Sequence, residues 1–199
     1  MADALRYTFQ LFGGDARKES PVPVMSHLLN VCAIVQRDGG SEDDAIAALL
    51  HDALEDKPEE TSEAQLLARY GPRVARMVRI ATDTPPEWIG GRKPPWKQRK
   101  QDYLDKLAAE PPDLLRHTIA DKIDNVQAML ADHRHIGNAL WSRFKADKHE
   151  QLWYYTACHA AYKKAGASPA LVRELGLLIN RLERIVVPKV AKERRRSAR

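Results

Sequence analysis

Apolar residues recur every three or four positions along most of this chain, and that spacing is the sequence feature that most limits its fold. Residues three or four apart share one face of an α-helix, whereas strands show alternation with a period of two, which never persists here beyond a few positions. We therefore predict an all-α fold, a single-domain bundle of about eight to ten helices. The predicted helices cover residues 3–12, 22–37, 41–55, 62–69, 71–82, 97–109, 112–131, 137–144, 147–165 and 168–186.

Local signals mark several boundaries of these helices. Ser41 and Ser168 each precede a helical pattern and are good N-terminal caps. The pair Gly71 and Pro72 is typical of a stop or a turn. Residues 84–95, TPPEWIGGRKPP, are rich in proline and hold two adjacent glycines, so they predict an irregular loop between two helices.

Composition places the chain among ordinary globular proteins. Its 199 residues suit one domain, with 44% hydrophobic and 30% charged residues. We find neither a run of about 18 apolar residues nor a secretion signal, and therefore expect a cytoplasmic protein without a membrane partner. In that compartment Cys32 and Cys158 are expected to be free thiols.

The net charge of +5 comes from the C-terminal end of the chain. Residues 189–199 hold six Lys or Arg and one Glu, which leaves 26 basic and 26 acidic residues elsewhere. We expect one domain over residues 1–187 and a basic, disordered tail over residues 188–199. Such a tail is a solvated end or contacts RNA, DNA or acidic lipid electrostatically and without sequence preference, so no sequence-specific nucleic-acid partner is expected.

The stretch ALLHDALED, residues 48–56, puts one imidazole and three carboxylates into an otherwise apolar helical pattern. On a helical wheel His51, Asp52, Glu55 and Asp56 fall within one sector. Like charges this close repel unless a cation neutralises them, and adjacent His and Asp can supply nitrogen and oxygen ligands to one divalent ion. The alternative is an exposed acidic helix end.

Two further residues favour the metal interpretation. His27 lies in the apolar helical pattern VMSHLLNVCAIV, where an imidazole needs a buried partner. Asp121 lies between apolar turns in HTIADKIDNVQAML. Alone, the first would be a satisfied core residue and the second a surface residue. Together with His51 and Asp52 they form an H…HD…D series, which is a more specific signal.

This series resembles the signature of HD-domain metal-dependent phosphohydrolases. HDALED is similar to the HDxxED pattern of the branch that contains the RelA/SpoT hydrolase domain and the small alarmone hydrolases, including metazoan SpoT homologues. The segments ARKESPVPVMSHLLNV, LLARYGPRVARMVRIATD and ADKIDNVQ resemble further motifs of that branch in the same order. The resemblance extends from about residue 5 to residue 125 and implies an HD-type helical bundle.

The resemblance also implies a metal site and a catalytic pair. One divalent ion, usually manganese in this branch, would be held by His27, His51, Asp52 and Asp121. Glu55 and Asp56 match the acidic pair that positions or deprotonates the attacking water.

The resemblance also implies several residues that contact the substrate. Arg17 and Lys18 match a basic pair near the substrate, and Asn125 matches an asparagine that contacts the nucleotide. We add the hypothesis that Lys97, Arg99 or Lys100, which follow the proline-rich loop, contact substrate phosphates. The alternative is a helix face of solvated cations.

Four positions depart from the pattern of the resembling family. Val24 stands where Tyr is common, Asp124 where His or Tyr is frequent, Gln127 where Arg is frequent, and Ala128 where several long alarmone enzymes have Thr. These positions lie in or near the expected base and ribose contacts. The departures therefore bear on the substrate and leave the metal ligands intact.

The function implied is that of a manganese-dependent phosphohydrolase. It would remove the 3′-pyrophosphate of guanosine tetraphosphate or pentaphosphate, or of an adenine analogue, and we expect it to be a stand-alone hydrolase without a synthetase half. One alternative is a phosphatase acting on another nucleotide, such as a 2′-phosphorylated dinucleotide or a nucleoside monophosphate. A second is a non-catalytic nucleotide-sensing HD protein. A homodimer is left open.

Overall fold

The computed structural model describes residues 1–18, 20–86, 88 and 90–187, and in this part of the chain helices are joined by turns and loops, without a β-strand. The all-α prediction is therefore confirmed. The helices are α1 (Ala2–Phe12), α2 (Val24–Arg37), α3 (Glu42–Leu50), α4 (Ala53–Asp56), α5 (Glu63–Ala81), α6 (Trp96–Leu107), α7 (Arg116–Ile136), α8 (Lys148–Ala165) and α9 (Pro169–Val186). Two 3₁₀ segments, Pro112–Leu114 and Gly137–Arg143, flank α7.

Helix α3 lies at the centre of the bundle and packs against α1, α2, α5 and α7. Every residue from Ala45 to Leu50 is buried, because the run AIAALL is apolar on all sides. A helix with no polar face is stable only when neighbours surround it. Its C-terminal end is therefore held firmly inside the domain.

The predicted caps at Ser41 and Ser168 are both formed. The Ser41 hydroxyl accepts a hydrogen bond from the backbone N–H of Asp44, and the Asp44 carboxylate accepts one from the backbone N–H of Ser41. This reciprocal pair is a capping box. The Ser168 hydroxyl accepts from the backbone N–H of Leu171.

Several predicted helices differ from the structure. The helix predicted over 112–131 spans Arg116–Ile136, and residues predicted as a helix over 137–144 form the 3₁₀ segment Gly137–Arg143. The predicted helix over residues 41–55 is broken, since α3 ends at Leu50 and α4 is a single turn after His51 and Asp52. The predicted helices over residues 62–69 and 71–82 instead form the kinked helix α5. Gly71 has φ 84° at that kink, a conformation that L side chains rarely adopt, and Pro72 follows it.

The structure also bears on the predictions for the cysteines, the proline-rich loop and the domain boundary. Cys32 and Cys158 are free. In the described residues we find no helix long and apolar enough to span a bilayer. The proline-rich segment lies between α5 and α6 as predicted. The domain boundary at residue 187 stays a prediction, because the tail over 188–199 lies outside the described residues.

Candidate metal centre and adjoining cavity

The four side chains predicted to hold a metal ion come together where α2, α7 and the turn between α3 and α4 meet. Nε2 of His27 lies 3.2 Å from Nε2 of His51, 3.7 Å from Oδ2 of Asp52 and 3.4 Å from Oδ1 of Asp121. Nε2 of His51 lies 3.2 Å from Oδ1 of Asp52 and 3.6 Å from Oδ1 of Asp121. Two imidazole nitrogens and two carboxylates therefore surround one small space.

The break after α3 explains how His51 reaches this space. Its Nδ1 donates a hydrogen bond of 2.8 Å to the carbonyl oxygen of Ala48, one turn earlier. This bond fixes the ring orientation and directs Nε2 away from the helix. Asp52, with φ −90° and ψ −5°, begins the single turn α4. The carboxylate of Asp52 consequently lies beside His51 Nε2.

His27 is oriented by a carboxylate on another helix. Its Nδ1 lies 2.6 Å from Oδ2 of Asp124 in α7 and donates to that oxygen when the ring is neutral. Metal-binding histidines commonly use the second ring nitrogen in this way, because the contact fixes the tautomer. Both His27 and His51 thus present Nε2 as the free acceptor atom. His27, His51 and Asp52 place one ligand atom each within 4.8 Å of one another, and Asp121 lies 3.4 Å and 3.6 Å from the two imidazole nitrogens. This donor set fits a divalent ion, and the role of the four residues as ligands stays a prediction.

The charges around the two imidazoles also favour a cation. Burial alone would lower the pKa of His51, but the negative charges of Asp52 and Asp121 raise it to about 9. Burial likewise acts to lower the pKa of His27, and hydrogen bonds to Asp121 and Asp124 raise it instead. A bound divalent ion would neutralise these negative charges instead of protons on the two imidazoles, because an imidazole nitrogen must be unprotonated to bind a metal.

Asp121 has additional partners on its own helix. Burial acts to raise its pKa, but the Lys122 ammonium holds it well below the usual range. Lys122 is itself buried, with its ammonium 5.1 Å from the ring centroid of Tyr103 and 5.8 Å from that of Tyr154. Asn125 donates to the Asp121 carboxylate. Sequence reasoning missed Lys122, for which the available signal was a lysine between buried turns in ADKIDN.

The predicted acidic pair lies beside the metal cluster and is contacted by cations. Lys93 of the proline-rich loop places its Nζ 2.9 Å from Oε1 of Glu55 and 3.5 Å from Oδ1 of Asp56. Arg99 Nη1 lies 3.7 Å from the same Glu55 oxygen. Partial desolvation at the cavity wall, followed by the charges of Asp52 and Glu55, raises the pKa of Asp56 to about 7, with 55% of the side chain exposed. A carboxyl with such a pKa can accept or release a proton near neutral pH.

A cavity of about 690 Å³ opens next to these groups. Its wall combines the acidic groups of the cluster with cations, an arrangement suited to a ligand that carries phosphates beside a metal ion. The acids include Asp52, Glu55, Asp56 and Asp121, and the cations are Arg17, Lys18, Lys100 and Lys122.

The residues predicted to contact substrate are distributed around this cavity. Arg17 donates to Asn125 Oδ1 at 2.6 Å and lies 3.3 Å from the Asp124 carboxylate. Lys18, beside it in the chain, is exposed and also lines the cavity. The structure thus brings Arg17, Lys18 and Asn125 together at the edge of the metal cluster.

The cations after the proline-rich loop occupy three different settings. Lys100 lines the cavity and lies 2.7 Å from the carboxylate of Asp83. Arg99 pairs with the same Asp83 and is largely buried. Lys97 is exposed, with its Nζ 3.0 Å from the ring centroid of Trp153. Of these three predicted contacts, Lys100 is therefore the one that faces the cavity.

A second cavity of about 390 Å³ shares Arg17, Lys18, His27 and Asn125 with the first. The remainder of its wall includes apolar groups of Leu140, Phe144 and Met129 and three of the positions that depart from the resembling family, Asp124, Gln127 and Ala128. Val24 lines the first cavity. The departures thus border the two cavities, although the Asp124 carboxylate also contacts His27.

Comparison with known proteins agrees with this geometry. The model of the family described as "HD domain" matches residues 4–135, which include the metal cluster, the acidic pair and the predicted substrate contacts. The chain belongs to the HD domain family. The match ends within α7, so α8 and α9 of this HD domain protein lie beyond the matched region.

One relative matches a part of this chain in sequence. The chain is 32% identical over 119 residues to the guanosine-3′,5′-bis(diphosphate) 3′-pyrophosphohydrolase of Aquifex aeolicus (strain VF5). That alignment takes in 58% of this HD domain protein and 16% of the relative, so the chain spans a small part of the relative's length.

Solved structures share the fold. The protein lmo0812 of Listeria monocytogenes EGD-e has a TM-score of 0.66 at 28% identity, covering 78% of this chain and 97% of that one. A metazoan SpoT orthologue described as hydrolysing ppGpp, with a role in starvation responses, has a TM-score of 0.71 at 20% identity, covering 90% and 93%. The metazoan structure therefore shares its fold with most of this HD domain protein.

Proposed function

We propose that this protein is a metal-dependent phosphohydrolase that removes the 3′-pyrophosphate of a guanosine tetraphosphate or pentaphosphate, or of an adenine analogue. One observation carries the proposal. Two imidazoles with Nδ1 engaged and two carboxylates converge beside the Glu55 and Asp56 pair, in a cavity lined by four cations. A binding-only module would not need that acidic pair.

The ion would be held by His27, His51, Asp52 and Asp121. When bound, a divalent ion would polarise a phosphoryl oxygen and lower the pKa of a water molecule. Two nitrogen and two oxygen donors suit several divalent ions, and we propose manganese from the resemblance to the alarmone hydrolase branch.

Protein groups would supply the remaining chemistry. Arg17, Lys18 and Lys100 offset the negative charge of the substrate phosphates and orient them over the cluster. A water molecule attacks the phosphorus joined to the ribose 3′ oxygen, and the bond to that oxygen breaks to release pyrophosphate. Glu55 and Asp56 orient the water and accept its proton, and the pair returns a proton to the ribose 3′ oxygen, which leaves as a hydroxyl group.

The identity of the substrate is supported by the relatives. The Aquifex relative is named as a 3′-pyrophosphohydrolase of guanosine-3′,5′-bis(diphosphate), and the metazoan structural neighbour as hydrolysing ppGpp. The departures at Val24, Gln127 and Ala128 favour keeping one alternative, a phosphatase for another nucleotide. A cytoplasmic location and action without a membrane partner belong to the same proposal.

A nucleotide panel tests the proposal. Protein stripped with a chelator is reloaded separately with manganese, magnesium, zinc or cobalt and incubated with guanine and adenine alarmones, a 2′-phosphorylated dinucleotide and nucleoside monophosphates. Release of pyrophosphate from an alarmone, greatest with manganese, is expected. Phosphate release from another nucleotide would favour the alternative, and binding without any turnover would contradict both enzymatic functions.

A further inference from the structure

One carboxylate oxygen of Asp124 contacts two groups of the site at once. Its Oδ2 lies 2.6 Å from His27 Nδ1 and 3.3 Å from Arg17 Nη1. The Asp124 side chain is only 8% exposed, so both contacts are largely shielded from bulk water. Asp124 therefore joins the imidazole proposed to hold the ion to the guanidinium proposed to bind phosphate.

The chemistry of a carboxylate suits this shared position. An anionic oxygen can accept from a neutral imidazole N–H and from a guanidinium together, and charge-assisted hydrogen bonds are stronger than neutral ones. A charged partner on Nδ1 also makes the opposite ring nitrogen a better ligand. The His or Tyr frequent at this position in the resembling branch would bring no negative charge to either contact.

Arg17 has a second anchor on the same helix turn. Its Nη2 donates to Asn125 Oδ1 at 2.6 Å, so Asp124 and Asn125 together hold the guanidinium at the cavity wall. A guanidinium fixed by two acceptors loses less conformational freedom when phosphate binds.

We propose that Asp124 is a positioning residue of this chain, which sets the affinity of the metal centre through His27 and orients Arg17 toward the substrate. The part concerning Arg17 rests on the proposed function. The part concerning His27 needs no substrate, because it concerns metal affinity alone.

Manganese titration of chelator-stripped protein tests the first part. Asp124→Ala is expected to weaken manganese binding about 10- to 100-fold, the range seen when groups that orient metal ligands are lost. Asp124→Asn should have a smaller effect, because its amide oxygen still accepts from His27. Asp113→Asn is the matched control, since it alters a carboxylate paired at 2.8 Å with Arg73 outside the cavity.

The result that would overturn the proposal is manganese affinity within twofold of the unaltered protein in both Asp124 variants. Cooperative thermal melting of Asp124→Asn, which keeps the size of the side chain, ensures that the comparison is made on folded protein. A purely structural role would lower the melting temperature without changing metal affinity, and that outcome also counts against the proposal.

A double-mutant cycle at saturating manganese tests the second part. Asp124→Asn and Arg17→Ala are each expected to raise KM, and together to raise it by less than the product of the two effects, because they disrupt one contact. Fully multiplicative effects would overturn the orienting role. Weaker manganese binding in the Asp124 variants, with no turnover of any nucleotide by the unaltered protein, would refute the proposed function alone. Turnover by the unaltered protein, with unchanged manganese affinity in the Asp124 variants, would refute the role of Asp124 alone.

Discussion

Nζ of Lys93 lies 2.9 Å from Oε1 of Glu55, so the proline-rich loop places a cation against the pair proposed to handle the water proton. The same ammonium lies 3.5 Å from Asp56 and lowers the pKa of that carboxyl, which partial desolvation and the charges of Asp52 and Glu55 raise. Removing Lys93 should therefore raise the pKa of Asp56 further.

We expect Lys93→Ala to shift the acidic limb of the pH–rate profile toward higher pH. Activity that needs ionised Asp56 is lost as pH falls through its pKa, and a higher pKa moves that loss upward. For this partly exposed pair we expect a shift of roughly half a unit to one unit. The measurement is kcat against pH at saturating metal and substrate.

The matched control for Lys93 is Arg92→Ala, which removes an exposed cation from the same loop. Its acidic limb should stay where it is in the unaltered protein. A limb that is unmoved in Lys93→Ala, or that moves toward lower pH, would contradict the assigned electrostatic effect.

The metal cluster and the acidic pair should respond differently to substitution. Asp52→Ala removes a proposed ligand and should weaken manganese binding on the order of 100-fold or more, because ligand loss exceeds the effect of a group behind the ligand. Glu55→Gln should keep manganese affinity within a few-fold and lower kcat about 100- to 10,000-fold, the range for loss of general acid–base catalysis. Titration and steady-state kinetics on the same samples check both.

Full activity in a protein carrying Glu55→Ala and Asp56→Ala, together with loss of activity in Asp52→Ala, would show that the roles are wrongly divided. Thermal melting of each variant separates these outcomes from unfolding.

The helical bundle could be predicted because helical spacing is a local pattern, and the residues of the cluster could be proposed from the H…HD…D series and the family that it resembles. Spacing of three and four residues indicates helices, and an imidazole in an apolar pattern at His27 needs a partner. The break at His51 could not be predicted, and neither could the hydrogen bond from its ring to the Ala48 carbonyl. A helical wheel assumes an unbroken helix and cannot reveal that contact.

The roles of residues that act through tertiary contacts could not be predicted from the sequence either. Asp124 looked like a departure near the nucleotide, whereas 97 residues separate it from the imidazole that its carboxylate contacts. Lys93 looked like one cation among several in a loop, and Glu55, with which it pairs, lies 38 residues away in the sequence. Where the backbone itself is unusual, as at Gly71 next to Pro72 and at the adjacent Gly90 and Gly91, the sequence did give a local sign.

Lys100 should contribute to substrate binding more than Lys97 does. Lys100 lines the cavity, whereas Lys97 lies over Trp153 on the surface. Losing one charge-assisted contact to phosphate costs about 1.5–3 kcal/mol, so Lys100→Ala should raise KM roughly tenfold or more. Lys163→Ala, an exposed cation of α8, is the control. Unchanged KM in Lys100→Ala would exclude a phosphate contact there.

His117 should make the metal-free protein less stable in acid. Burial, helped by the positive charge of His51, lowers the pKa of His117 to about 4, while its Nε2 donates to the Met77 carbonyl at 2.9 Å. The unfolded chain binds this proton near pH 6.5 and the folded chain does not, so the contribution of His117 to stability falls as pH drops from 6.5 to 4. Below pH 4 this loss of unfolding free energy stops growing, and its total is on the order of 3 kcal/mol.

The variant His117→Gln isolates this contribution, because its amide nitrogen can still donate to Met77 but has no proton to gain. We expect the free energy of unfolding of the unaltered protein, measured by urea titration in chelator, to fall relative to that of His117→Gln between pH 6.5 and 4. Carboxylates and the other histidines titrate in both proteins, so their effects cancel in the difference. A difference that is independent of pH across this window would mean that buried His117 takes up a proton as readily as the unfolded chain.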